Sequence, residues 1–81
     1  MKLEVISPKK ILYTGEVDLV QLPGKMGSFE ILQNHAPLVA ILEKGRLKII
    51  DTDRNTHFIP LNGGMVKVRR NTITVLTEVA E

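Results

Sequence analysis

Leu22-Pro23-Gly24-Lys25-Met26-Gly27-Ser28-Phe29-Glu30-Ile31-Leu32-Gln33-Asn34-His35-Ala36-Pro37-Leu38 leads straight into the apolar block Val39-Ala40-Ile41-Leu42. Pro23-Gly24 is turn chemistry, because Pro presets φ near about −65° and Gly tolerates positive φ. Phe29 and Ile31 alternate with Ser28 and Glu30, so this run reads as a short strand with one apolar and one polar face. Asn34 can cap or turn the backbone, and Pro37 drives Ala36 into extended geometry. After Pro37 nothing polar appears until Glu43. The stretch displays a polar loop on an apolar base, and loops set on a rigid scaffold are where function concentrates.

Toward the N-terminus, Lys2-Leu3-Glu4-Val5-Ile6 alternates with Leu3 and Val5 inward, and Ser7-Pro8 ends it. Ile11 to Tyr13 reads as a second short strand closed by Thr14-Gly15. Glu16 to Leu22 changes parity between Val17 and Leu22, which calls for a bulge or burial on both faces. Toward the C-terminus, Val39 to Leu42 has two readings. One is a helix turn with Pro37 at N1 and Gly45 at C′. The other is a strand ending in Glu43-Lys44-Gly45, and the unbroken apolar run favours this one, buried on both faces. Arg46 to Ile50 alternates, Asp51 to Asn55 is a hairpin loop, and Thr56 to Leu61 returns, with Pro60 marking an edge or a bulge. Asn62-Gly63-Gly64 reads as a tight turn. Met65 to Arg69 alternates again, Arg70-Asn71 turns, and Ile73 to Thr77 is the last strand. Short strands at near-regular spacing, with no sustained helical period, predict an all-β sandwich or flattened barrel.

The whole chain, residues 1–81, is expected to form a single domain. A chain of this size buries only about 60% of its unfolded surface, so its core is small. Its 43% hydrophobic content suits a globular fold. Eleven Lys and Arg against nine Asp and Glu make a mixed surface, not a nucleic-acid polyelectrolyte. With no Cys, disulfides and thiolate metal sites are excluded. No apolar run approaches the roughly 20 residues of a membrane-spanning helix, and Met-Lys-Leu-Glu does not open a signal peptide. The expectation is a soluble intracellular protein that can sit on a membrane complex.

His35 and His57 lie 22 positions apart without Cys and make no zinc pattern. His57 reads as a surface strand residue, and His35 as a loop imidazole bonded to nearby backbone. Asp18 and Glu30 are the acids inside strand-like runs, and nothing in the sequence brings them together. No Ser sits in a nucleophile elbow, Gly63-Gly64 lacks the Lys-Ser/Thr of a phosphate loop, and Gly24-x-x-Gly27 is too short to cradle a nucleotide. Arg46, Lys48, Lys67, Arg69 and Arg70 form a candidate basic stripe. Phe29 and Phe58 look inward, so that stripe lacks the aromatic platform that single-stranded nucleic acid requires. A solvated face or one side of a protein interface fits better. No catalytic residue, cofactor or metal is expected, and the residues alone leave a small β-domain of unspecified role.

Three runs in the central region change this: Val17-Asp18-Leu19-Val20-Gln21-Leu22-Pro23-Gly24, Gly27-Ser28-Phe29-Glu30-Ile31-Leu32 and Asn34-His35-Ala36-Pro37-Leu38. Together they strongly resemble the epsilon subunit of the F-type rotary ATP synthase. Leu3-x-Val5-x-Ser7-Pro8, Tyr13-Thr14-Gly15-Glu16-Val17 and Leu42-x-x-Gly45-x-Leu47-x-Ile49 follow the same pattern. So do Leu61-Asn62-Gly63-Gly64-Met65-x-x-Val68 and Asn71-x-Ile73-Thr74-Val75-Leu76-Thr77-x-x-Ala80. The resemblance implies a flattened β-sandwich or barrel of two sheets with about ten short strands. It implies a rotor part without catalysis of its own, at the foot of the gamma subunit and on the c-ring, with alpha and beta in the same complex. The implied location is peripheral, on the cytoplasmic face of the plasma membrane, with no membrane insertion and no nucleic acid.

Residue by residue, the resemblance assigns c-ring contact to Ser28, Phe29, Glu30 and His35. It assigns gamma contact to Ser7, His35, Ala36, Leu38, Ala40 and Asn62. Family members often carry an acid at the Ser28 position and a Gly at the Glu30 position, so the acid is expected to have moved two residues along one strand face. Most members continue into a two-helix region that inhibits ATP hydrolysis. A chain ending with the sandwich implies a short form that couples without inhibiting by that route. The alternative is a free-standing β-sandwich that binds a small ligand or carbohydrate, which requires a pocket with exposed aromatics.

Overall fold

Alternating Val, Ile and Leu give every segment a face to bury, and β-branched side chains fit a pleated surface. The computed structural model describes residues 1–79 and builds them into six strands. These are β1 (Lys2–Ile6), β2 (Ile11–Gly24), β3 (Gly27–Leu32), β4 (Leu38–Asp51), β5 (Thr56–Arg69) and β6 (Thr72–Val79). Ala80, quoted in the family resemblance, lies outside the described residues. The sheet order is β1-β6-β5-β4-β2-β3, and a further β1–β2 pairing closes it. β1 runs parallel to β6, and every other neighbouring pair is antiparallel.

The closed sheet is flattened into two layers because β2, β4 and β5, each 14 residues long, pass from one layer to the other. Parity marks each corner. In β2 the buried positions go from Val17 to Val20 and Leu22; in β4 from Leu42 to Leu47 and Ile49; in β5 from Leu61 to Val66 and Val68. Every jump is an odd number, so the strand gains one residue and keeps its apolar side inward while it turns. Ladder registers slip at the β2 corner, between Val17 and Leu19, and at the β5 corner, between Leu61 and Gly64. Counting each bent strand in both layers gives nine strand segments, which reconciles six continuous strands with a reading of about ten short ones.

Four local readings are corrected by the structure. Thr14-Gly15 and Glu43-Lys44-Gly45 do not end strands, since β2 and β4 run through them. Asn62-Gly63-Gly64 is a bulged corner inside β5, not a turn between strands, with Gly63 at φ 84° and Gly64 at φ 140°. Val39 to Leu42 is a strand, as favoured, but it is not buried on both faces: Val39 and Ile41 point to solvent. Between the layers, Leu3, Leu22, Ile31, Leu47, Ile49, Leu61 and Ile73 are fully buried. Each such side chain contributes roughly 1.5–3 kcal/mol relative to exposure.

Candidate docking face

The outer side of one layer carries a row of apolar side chains. Ile41 of β4 faces Met65 of β5, which faces Leu76 of β6. Leu76 faces Ile6 of β1, and Ile6 faces Ile11 of β2. Directly paired residues share a face, with Cβ atoms about 4.5–5.5 Å apart, so the five form one continuous stripe. The next residues inward, Leu42, Val66, Val75 and Val5, fill the core, so the stripe cannot turn in to join them. Ile41 stays 65% exposed, Met65 39%, Leu76 45% and Ile11 64%. Scattered apolar residues on a surface are ordinary, but a contiguous stripe marks an interaction site.

A shallow groove lies toward each end of the row. One, of about 470 Å³, is lined by Ile6, Ser7, Pro8, Asn62, Gly63, Gly64, Leu76, Thr77 and Glu78. The other, of about 550 Å³, opens between the β2–β3 hairpin and the start of β4, lined by Gly24 to Phe29 with Leu38, Ala40 and Ile41. Met26, at its rim, is fully exposed.

Of the residues assigned from the sequence, Ser7, Asn62, Ser28, Phe29, Leu38 and Ala40 line the two grooves beside this row. Ser7 and Asn62 meet in the first groove. The Ser7 hydroxyl is engaged locally, donating to the Lys10 carbonyl at 3.0 Å and accepting the Lys10 N–H at 3.2 Å. Leu38 and Ala40 pair with Val68 and Val66, so they lean toward the core and line the second groove. Phe29 pairs with buried Leu22 and packs against the core as well. Ser28 and Glu30, opposite Pro23 and Gln21, both face solvent from one side of β3. His35 and Ala36 occupy the β3–β4 loop, where His35 Nδ1 lies 2.8 Å from the Ala36 carbonyl oxygen.

Side chains that the sequence reading did not single out hold that loop in place. The Asn34 N–H donates to Asn71 Oδ1 at 2.8 Å, and Asn71 Nδ2 donates to Gln33 Oε1 at 3.2 Å. Gln33 in turn donates from Nε2 to the Val17 carbonyl at 3.1 Å. The His35 loop is therefore tied to the tip of the β5–β6 hairpin and to β2. No spacing in the sequence signals this tie, because its partners are 37 and 38 positions apart.

On the opposite layer, Phe58 is not inward as expected. It is 48% exposed, and the Arg46 guanidinium covers its ring at 4.1 Å. The basic stripe also divides. Arg46 and Lys48 share this layer with Phe58, whereas Lys67, Arg69 and Arg70 gather at the β5–β6 hairpin. His57 is more than a plain surface residue. Its Nε2 lies 2.8 Å from Asp51 Oδ2, and its ring tilts against Tyr13 with centroids 5.6 Å apart. The His57 bond, followed by the Asn55 N–H, holds the Asp51 carboxyl below the usual carboxylate range. Tyr13 is pushed up by burial first and then by the Asp51 charge. This cluster closes the β4–β5 turn, where Asp51 Oδ1 also accepts the Asp53 and Asn55 N–H groups at 2.9 Å. Among the described residues no group of three His, Cys, Asp or Glu is arranged to hold a metal ion. No helix among the described residues is long and apolar enough to cross a membrane.

Residues 1–81 match the family described as ATP synthase, Delta/Epsilon chain, beta-sandwich domain. The ATP synthase epsilon chain of Leptospira borgpetersenii serovar Hardjo-bovis (strain JB197) is 47% identical over 78 residues, covering 96% of this chain and 61% of that protein. The ATP synthase epsilon chain of Chlorobium limicola is 36% identical over 77 residues, covering 95% of this chain and 88% of its own. A chain in the Euglena gracilis mitochondrial ATP synthase structure superposes with a TM-score of 0.89 at 17% identity, covering 96% of this chain and 51% of that one. At that identity the superposition speaks for the fold alone. This chain thus spans about three fifths of the Leptospira relative and most of the Chlorobium one. The family match runs the full length of residues 1–81, and the chain belongs to the ATP synthase delta/epsilon β-sandwich family.

Proposed function

We propose that this chain, as one domain over residues 1–81, is a non-catalytic rotor subunit of a proton-translocating ATP synthase. It joins the gamma subunit to the c-ring and supports the coupling of proton flow to ATP synthesis. It works peripherally, within a membrane-bound complex and on its cytoplasmic face. The carrying observation is the row Ile11–Ile6–Leu76–Met65–Ile41, an apolar surface that a free-standing domain has no reason to keep exposed. Gamma covers this row and its two grooves, with Ser7, Ala36, Leu38, Ala40 and Asn62 at the margins. Ser28, Glu30 and the His35 loop meet the ring, with Phe29 supporting them from beneath. One charge crossing about 100 mV releases roughly 2.3 kcal/mol, so torque passes through a body that must not shear. A closed sheet supports this role because sliding one layer over the other would break the ladders of all three corner strands.

The test is capture of partners from the source membranes with tagged full-length protein, followed by binding to the purified gamma subunit. Recovery of gamma, alpha, beta and c is expected. Met65→Ser with Ile41→Ser is expected to weaken gamma binding at least 30-fold, since each buried side chain contributes roughly 1.5–3 kcal/mol. The fold should survive, because both side chains already face solvent. Unchanged gamma affinity would sink the assignment of the row.

A further inference from the structure

We propose that the end of the β5–β6 hairpin is a binding site for a phosphate-class anion, either free phosphate or the headgroup of an anionic lipid. Lys67 pairs with Thr74 and Arg69 with Thr72, so two successive rungs each set a cation beside a hydroxyl. The inward alternates Val68, Ile73 and Val75 are buried, so all four of these side chains stand on the outer face. Arg70 joins them from the turn, and the five line a depression of about 320 Å³.

The cations there are uncommitted. Among the described residues, the ion pairs join Met1 to Glu16, Lys2 to Glu4, and His57 to Asp51, and none uses Lys67, Arg69 or Arg70. Glu4, opposite Thr74, is the acid at the margin, and Lys2 holds it at 3.2 Å. The Thr72 hydroxyl has only a long 3.5 Å contact to the Arg70 carbonyl. The site is also prebuilt. Arg70 and Asn71 take φ 50° and 57° in the turn, which is anchored by the Asn71 bonds to Asn34 and Gln33 and by the Lys2 N–H to the Asn71 carbonyl at 3.2 Å. An anion therefore meets its donors without first ordering a loop.

The donor set favours phosphate over carboxylate. Two guanidinium forks, an ammonium and two hydroxyls offer more donors than a carboxylate's two oxygens accept, whereas a phosphate presents three or four. The groups are exposed, so affinity is modest, with Kd on the order of 1 mM.

The experiment is an amide NMR titration of the full chain with inorganic phosphate replacing chloride at constant ionic strength and pH. Saturable shifts confined to Lys67 through Thr74 are expected, weakened at least tenfold in Lys67→Gln/Arg69→Gln. A second arm sediments the protein with vesicles of phosphatidylcholine, with and without phosphatidylglycerol. Phosphate binding together with retention on phosphatidylglycerol that the double variant abolishes identifies the lipid headgroup as the source. Phosphate binding without retention identifies free phosphate. Shifts that rise linearly and spread equally over Lys9, Lys10 and Lys44, or that persist in the double variant, overturn the site. Neither arm includes gamma or the ring, so failure here is distinct from failure of the rotor reading.

Discussion

Gly64 tests whether the corner of β5 is held by backbone geometry. It takes φ 140°, and a Cβ built there would overlap the carbonyl oxygen of Leu76 on β6, while also approaching Thr77 Cα to 3.0 Å. Leu76 cannot step aside cheaply, because its strand is laddered to β1 on one side and β5 on the other. For Gly64→Ala the positive φ costs about 1–3 kcal/mol and the steric overlap about 1–3 more. The total, about 2–6 kcal/mol, is a large share of the roughly 4–12 kcal/mol expected for a domain of this size. Gly63 next door is the control. Its φ is also positive, at 84°, but the nearest atom to an added Cβ is the Leu42 carbonyl oxygen at 3.6 Å, an ordinary contact. Gly63→Ala therefore carries the strain without the overlap. Urea unfolding of both variants separates the two terms, and the gap between them should reach about 1–3 kcal/mol. At about 4–8 °C per kcal/mol, Gly64→Ala should lose at least about 8 °C of Tm. Equal losses in the two variants, or a loss under about 1 kcal/mol for Gly64→Ala, would refute the corner geometry.

Two further outcomes follow from the turns. The Asp51 carboxyl is held below its unfolded value of about 3.9, so it contributes stability above that pH and loses it as pH falls through the folded value. Asp51→Asn should therefore be less stable than the parent at about pH 5.5, with the gap shrinking below about pH 4; a gap constant down to about pH 2 would contradict this. Asn71→Ala removes the side-chain ties to Asn34 and Gln33, and should cost about 1–3 kcal/mol. Hydrogen exchange should then quicken at the Asn34 amide, and unchanged protection there would show that the loop holds itself.

Strand existence was legible because inward residues recur with period two wherever a strand stays in one layer: Leu3 and Val5, Val66 and Val68, Ile73 and Val75. Strand ends were not legible. Gly15, Gly45 and Gly63-Gly64 carry turn composition, yet all lie inside long strands. A Gly at a bulged corner and a Gly in a hairpin turn answer the same backbone demand, and local sequence does not say whether the chain then reverses. The parity change in β2 was readable as a bulge, and the same change in β4 and β5 was masked by their apparent turns.

The sequence by itself determined the all-β class and the family, since alternation, turn residues and the Asn34-His35-Ala36-Pro37 pattern are all local along the chain. Only the tertiary structure decided which apolar residues stay outside. Ile41, Met65, Leu76, Ile6 and Ile11 are separated by as much as seventy positions, and nothing in their own neighbourhoods marks them as one surface. Cross-strand register makes them adjacent, and closure of the sheet decides which side of each strand meets water. The same register split one string of basic residues between two layers and turned Phe58 outward beneath Arg46. A ladder slipped by one residue would exchange inside and outside along a whole strand, so the docking row exists only once every strand has found its partner.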